Sequence, residues 1–257
     1  IIDVEIVAFP QSGLLRRPGT LELMHQAMKL GAEIVGGLDP CAIDRDPKGH
    51  LDAVFGLCQT YGKPLDIHLH EPGEMGAFST DLIIERTRAL GMKGKVTISH
   101  AFCLGSPDRD LIDPLIEQLA ELDIAIMTTG PASRPAPPVR KLLAAGIRVC
   151  SGSDGIRDTW GPYGNGDMLE RAMFVGLRNN FRRDDEMALA FKVVTTEGAK
   201  VMEIADYGLG VGCNADLLIV PGESLADAIV SRSPKRRVIK RGKIVARDGV
   251  SILKAAS

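Results

Sequence analysis

Three of the five histidines in this sequence lie at the ends of two short apolar segments, Asp66-Ile67-His68-Leu69-His70-Glu71 and Thr97-Ile98-Ser99-His100. A third apolar segment, Ile147–Ser151, runs on through Gly152 and Ser153 into Asp154. Imidazole nitrogens and carboxylate oxygens are the donors that hold Zn²⁺ or Fe²⁺ while leaving a position open to water. If the segments are strands, His68 and His70 project to the same side, because side chains alternate with period two. Glu71 stands just beyond them, within reach of a bound water. A divalent metal lowers the pKa of its water to roughly 7, and a neighbouring carboxylate then takes the proton and later returns it. A lone histidine at a strand end is usually a hydrogen-bonded core residue. Three such strand ends in one chain argue instead for a metal-assisted hydrolytic site.

Such residues converge only if the elements carrying them are parallel and ordered. Strands are expected over Asp3–Phe9, Glu33–Gly37, Leu65–His70, Lys95–His100, Ile124–Thr128 and Ile147–Ser151. Helical periodicity fills the gaps at Leu21–Leu30, Gly49–Tyr61, Thr80–Leu90, Asp110–Leu122 and Pro138–Ala145. Gly31, Gly62, Gly91 and Gly146 stand where helix C-caps belong. Short strands of nearly continuous apolar character suit a parallel sheet covered by helices. About six β/α units in series imply a (β/α)8 TIM-type barrel or a doubly wound sheet, and in such barrels catalytic side chains collect at the C-terminal strand ends. After the polar loop Asp154–Asp167, helices are expected over Met168–Asn179 and Asp184–Ile204. From Leu209 the texture changes to Ala215–Val220, a short helix over Ser224–Val230, and a hairpin of Arg237–Lys240 and Lys243–Ala246 around Gly242. The expected division is a barrel over residues 1–208 and part of a small β-sandwich over 209–257.

Composition narrows the alternatives. Of 257 residues 45% are apolar and 25% charged, with a formal net charge of −2, so no global field draws the chain to nucleic acid or membrane. No apolar run reaches the ~18 residues of a membrane span. Five scattered cysteines without a C-x-x-C pair point to thiols in a reducing cytoplasm rather than a disulfide framework. The basic stretch Lys235-Arg236-Arg237 with Lys240, Arg241 and Lys243 has no interleaved aromatics, and reads as a charged edge hairpin rather than a nucleic-acid patch. His25 and His50 lie on or beside helices and are expected to be solvated. The opening residues Ile1-Ile2-Asp3-Val4-Glu5 already read as a strand and carry neither an initiator Met nor a signal peptide, so the natural chain is expected to begin upstream.

The succession of His68, His100 and Asp154, with Ile6–Gly13, Val35–Pro40, Ser99–Cys103, Ser153–Trp160 and Pro162–Met168, resembles the amidohydrolase superfamily and, within it, the cytosine deaminase-like group. The resemblance covers essentially the whole chain. It implies a metal-dependent hydrolase barrel in which the visible strands are the third to eighth of the family pattern. The first two strands, with the family's His-x-His metal motif, are then expected to be lacking. It further implies one divalent metal ion, Zn²⁺ or Fe²⁺, with His68, His100 and Asp154 as the metal-site residues. Glu71, His100 and Asp154 match the catalytic positions: Glu71 the acid/base carboxylate, His100 the residue that polarises water or leaving group, Asp154 the ligand that orients the water. Gln11, His70 and Trp160 match substrate-binding positions. Gly36-Gly37-Leu38-Asp39 offers no lysine, which implies a single-metal rather than a carboxylated-lysine site.

What the resemblance implies for function is removal of an amino or alkylamino group from a nitrogen heterocycle of cytosine or triazine type. Gly155 stands where cytosine deaminases carry a second acid, which leaves the heterocycle open. The alternatives are a cyclic amidase of the same superfamily, or an inactive fragment lacking half of its metal site. The expected partner is a small heterocyclic substrate, with no nucleic acid and no membrane, in a cytoplasmic homo-oligomer.

Overall fold

A computed structural model describes residues 2–253. It divides into two compact units: Val4–Val149, and the stretch from Cys150 onward together with the first residues through Asp3.

In the unit Val4–Val149, strands and helices alternate. They are β1 (Val7–Ala8), α1 (Thr20–Lys29), β2 (Ile34–Leu38), α2 (Pro47–Tyr61), β3 (Leu65–His68), α3 (Gly73–Ala89), β4 (Val96–Ser99), α4 (Arg109–Glu121), β5 (Ala125–Thr128) and α5 (Val139–Ala144). β1 to β5 pair in parallel in sequence order, each connection crossing over through a helix as parallel pairing requires. β6 (Val149–Ser151) begins at the last residue of this unit. This is the parallel β/α architecture the sequence pattern implies. Val35, Leu65, Ile67, Leu69, Val96 and Ile98 are all buried. α2 buries His50, Leu51, Val54, Phe55, Leu57 and Cys58, a stripe at helical spacing. Gly62, just past the end of α2, takes the left-handed conformation (φ 64°) that glycine adopts without strain.

Four expected elements differ from the structure. The first strand is confined to Val7–Ala8, which pair with Ile34 and Val35; Val4 and Ile6 are exposed, although the Ile6 carbonyl still accepts the amides of Glu33 and Ile34 at 2.9 and 3.2 Å. α3 begins seven residues before the expected Thr80, at Gly73. Its first turn carries Gly73 and Gly76, poor helix formers, so propensity alone hides it. The close approach that Gly76 permits holds it: a Cβ there would stand 2.0 Å from the Glu71 carbonyl oxygen. A π-helical turn, Pro40–Asp44, occupies what reads as a plain loop after β2. The helix expected over Asp184–Ile204 is two, α7 (Asp184–Val193) and α8 (Thr196–Val201), broken at Thr195.

The second unit also contains α6 (Met168–Arg178), α9 (Leu225–Ser231) and an antiparallel sheet in the order β10-β9-β8-β7. Its strands are β7 (Leu217–Ile219), β8 (Arg237–Lys240), β9 (Lys243–Arg247) and β10 (Val250–Ser251). Leu169, Ala172 and Ile229 form a buried cluster, with Met173, Met187 and Phe191 packed on it. The basic stretch is not an edge: β8 is flanked by β7 on one side and β9 on the other. Three of its six basic side chains are paired locally. Lys240 pairs with Asp3 and Asp216, Arg241 with Asp3 at 2.8 Å, and Arg236 with Asp167 at 3.0 Å.

Candidate active site

β3 and β4 pair in register, with His68 opposite Ser99, so the residues that follow leave the sheet side by side. Leu65, Ile67 and Leu69 are buried, while Asp66, His68 and His70 between them are part-exposed. This is the period-two alternation that sends both imidazoles to one side. Asp66 accepts the Ser99 hydroxyl at 2.6 Å and ties the two strands on that same side. At the end of β4 the backbone turns left-handed at His100 (φ 73°) and Ala101 (φ 45°), while the His100 amide donates to the Met127 carbonyl at 2.8 Å. Two successive non-glycine residues at positive φ are costly, and such strain concentrates at functional positions. Its effect here is to turn the His100 ring onto His68.

The three rings form one cluster. His68 Nδ1 and His100 Nε2 lie 3.3 Å apart, and the His70 and His100 ring centroids are 4.2 Å apart. One nitrogen from each of the three rings falls within 4.8 Å of the others. Phe9 packs on His68 with centroids 4.6 Å apart, and Phe102 stands 5.6 Å from both His70 and His100. Burial, reinforced by the neighbouring His70 and His68, pushes the His100 pKa down to about 3. His100 therefore presents a neutral ring with one nitrogen lone pair.

Asp39, the residue after β2, holds His70 twice. Its Oδ1 accepts the His70 backbone N–H at 2.6 Å, and its Oδ2 is 2.8 Å from the ring Nδ1. Asp39 is itself left-handed (φ 35°) and buried. Immediately after it, the amides of Cys41 and Ala42 both donate to Glu71 Oε1 at 2.8 Å. The Ser79 hydroxyl donates to Glu71 Oε2. Glu71 is only 2% exposed and is fixed by three donors. The turn that opens at Asp39 thus grips the two adjacent residues His70 and Glu71. Sequence reasoning missed this role of Asp39 and of Ser79. The available signal was an Asp-Pro step directly after a strand, the position that His100 occupies after β4.

The far end of the π-helical turn is anchored by Asp44, whose carboxylate accepts the amides of Leu14, Leu15 and Arg16 at 3.0–3.1 Å. It also pairs with His50 Nδ1 at 2.7 Å, and His50 Nε2 faces the Leu38 amide at 3.3 Å. His50 is not solvated, as its helical setting suggests, but fully buried. His25 is half-buried, with Nδ1 3.0 Å from the Tyr61 hydroxyl. Both are structural.

Gln11 lies in an exposed turn after β1, its backbone N–H donating to the Phe9 carbonyl at 3.1 Å. Asp154 and Trp160 belong to the second unit. Asp154 follows β6 with a left-handed backbone (φ 64°). Trp160 is 81% exposed, in a loop where Asp158 accepts its amide at 2.9 Å.

The donor chemistry suits a small divalent ion. Two imidazole nitrogens bound tetrahedrally at roughly 2.0–2.1 Å stand about 3.3–3.4 Å from one another, which is the His68–His100 spacing. The sequence profile of the amidohydrolase family (Amidohydro_3) matches residues 3–246. The chain belongs to the amidohydrolase family. Among its relatives, N-isopropylammelide isopropyl amidohydrolase of Pseudomonas sp. (strain ADP) is 35% identical over 253 residues, 98% of this chain and 63% of that protein. The crystal structure of N-isopropylammelide isopropylaminohydrolase from Burkholderia multivorans superposes with a TM-score of 0.95 at 51% identity, covering 98% of this chain and 64% of that one. 5-Methylcytosine deaminase from Klebsiella pneumoniae, liganded with phosphonocytosine, superposes with a TM-score of 0.84 at 28% identity, covering 99% of this chain and 66% of that one. The chain therefore spans a little under two thirds of the length of these amidohydrolases. Its family is metal-dependent, and the histidine cluster is a possible metal site. Among the described residues, no helix is long and apolar enough to cross a membrane.

Proposed function

We propose that this chain carries the catalytic part of a hydrolase that removes an amino or alkylamino group from a nitrogen heterocycle of the triazine or cytosine type. The observation that carries the reading is the His68–His100 pair at 3.3 Å, with Glu71, three residues after His68, held by fixed donors. The names of the relatives, ammelide and 5-methylcytosine enzymes, support the substrate class. One divalent ion, Zn²⁺ or Fe²⁺, would be held by His68, His100 and Asp154. When bound, it supplies Lewis acidity that brings the pKa of a water to roughly 7.

The protein's own groups then divide the work. Glu71 Oε1 is filled by two amides, whereas Oε2 takes only the Ser79 hydroxyl and keeps a lone pair. Oε2 is thus the atom that receives the proton and passes it to the ring nitrogen as the ring carbon is attacked. His100, neutral because it is buried, polarises the departing amine, and Asp154 orients the attacking water. Gln11, His70 and Trp160 bind the ring. The barrel spans residues 1–208 and the small β-sandwich 209–257 in this reading, within a cytoplasmic homo-oligomer.

The test is turnover of N-isopropylammelide and cytosine, following released amine and ring opening separately, in wild type and Glu71→Gln. Amine release that falls about 10²- to 10⁴-fold in the variant supports the general acid/base role. Ring opening would identify a cyclic amidase instead, and near-wild-type turnover of Glu71→Gln would end the assignment.

A further inference from the structure

We infer that Asp44 is a positioning residue for Gln11: its carboxylate clamps the loop that carries Gln11 to the same turn that holds Glu71. The inference rests on the roles of Gln11 and Glu71 proposed above. A carboxylate offers about four lone-pair sites, and Asp44 uses them all. Its Oδ2 accepts the backbone N–H of Leu14 at 3.0 Å and of Leu15 at 3.1 Å, and faces His50 Nδ1 at 2.7 Å. Its Oδ1 accepts the Arg16 N–H at 3.1 Å. The Leu38 amide can only donate, so His50 Nε2 accepts it and Nδ1 directs its proton at Asp44. Three successive amides turned onto one oxyanion form a backbone nest, filled here by the chain's own buried carboxylate.

Both segments are shaped for this approach. Gly13 is left-handed (φ 98°), and a Cβ there would stand 2.7 Å from Asp44 Oδ1 and 3.0 Å from Ile43 Cγ2. The Leu14 side chain is buried, which seats the loop from below. Asp44 is the last residue of the π-helical turn Pro40–Asp44, and the Cys41 and Ala42 amides of that turn hold Glu71 Oε1. Left-handed residues bound the turn on both sides, Asp39 (φ 35°) and Arg45 (φ 56°). Such turns are rare and concentrate at functional sites. Gln11 stands three residues before the first clamped amide. The grip on the substrate ring and the proton-transferring carboxylate are thereby set against one short, fixed piece of backbone.

Asp44→Asn keeps the size of the side chain but exchanges one acceptor oxygen for an NH₂ donor, so at least one N–H of the clamp is left facing a donor. In hydrogen exchange of the full chain, the amides of Leu14, Leu15 and Arg16 are expected to exchange at least about tenfold faster in the variant, while those of β4 keep their wild-type rates. Unchanged exchange at these three amides would overturn the clamp.

Steady-state kinetics with N-isopropylammelide and cytosine separates positioning from stability. Partial unfolding lowers kcat by reducing the active fraction and leaves KM alone, whereas a displaced Gln11 weakens binding and raises KM. Asp44→Asn is expected to raise KM about tenfold and to change kcat by less than about threefold. Gly13→Ala, which drives the loop away from an intact Asp44, is expected to do the same. Gln11→Ala combined with Asp44→Asn should show the KM of Gln11→Ala alone, because both act through one contact. KM effects that multiply in the double variant, or a KM moved by neither Asp44→Asn nor Gly13→Ala, would overturn the assignment to Gln11. Absence of turnover by wild type would overturn the functional reading above, while hydrogen exchange still decides whether Asp44 holds the loop.

Discussion

His68 Nδ1 and His100 Nε2 stand 3.3 Å apart although 32 residues separate them in the chain. The register of β3 against β4 sets the distance, and the left-handed turn at His100 aims the second ring. If this pair forms part of a metal site, either histidine should be essential to it. His68→Ala and His100→Ala are expected to lower bound zinc or iron by at least about tenfold after dialysis, in line with the loss of a direct ligand. His25→Ala should leave metal content unchanged. Elemental analysis of purified protein makes the comparison, and retention of full metal by His68→Ala would remove this pair from the site.

Ser79 should matter beyond its modest size. Its hydroxyl donates to the buried Glu71 carboxylate, and hydrogen bonds to charged groups contribute about 1.5–3 kcal/mol. Ser79→Ala is expected to lose stability of that order in urea unfolding. Ser79→Thr keeps the hydroxyl and should lose less. Equal stabilities for wild type and Ser79→Ala would show that the bond contributes nothing.

Gly76 is where α3 passes over the Glu71 backbone. A Cβ would meet the Glu71 carbonyl oxygen at 2.0 Å and Cys103 Cβ at 2.8 Å, so Gly76→Ala must push the helix away or distort the turn. Overpacking of this kind costs about 1–3 kcal/mol. The expected result is a lower melting temperature together with loss of turnover, since Glu71 moves with its backbone. Gly56→Ala, on α2 with open space around it, should do neither.

Acid should unfold the Val4–Val149 unit through Asp44 and His50. Burial pushes the His50 pKa below its usual 6.5, even though Asp44 opposes the shift. The unfolded chain therefore takes up a proton that native His50 refuses, and stability falls as the pH drops below ~6.5. For Asp44, burial raises the pKa, but His50 and the amides of Arg16, Leu15 and Leu14 outweigh it and leave it below 3.8. Its contribution is present above 3.8 and is lost as the pH falls through the lowered native value. Urea midpoints between pH 7.5 and 4.5 should decline in wild type and decline less in His50→Gln. Identical slopes would show that His50 is not the linked group.

The sequence by itself determined the family, the order of parallel strands and the residue types at their ends. Period-two alternation around His68, apolar strand runs and capping glycines are local signals, each readable within a few residues because local sterics and burial produce them. The histidines and Glu71 were legible for the same reason: their chemistry is written in residue type. Tertiary structure decided what holds them. Asp39 reads as a plain loop residue until β2 and β3 pair, and only then does its carboxylate meet His70, 31 positions away. His50 reads as a surface helix residue until the π-helical turn brings Asp44 to it. The start of α3 was hidden because its glycines disfavour helix locally and are required by packing. For Asp39 the deciding contact joins residues 31 positions apart, and for His50 and α3 it depends on a fold-back of the chain that residue type alone does not reveal. Which residues do chemistry was local information; which residues fix the orientation of His70 and Glu71 was not.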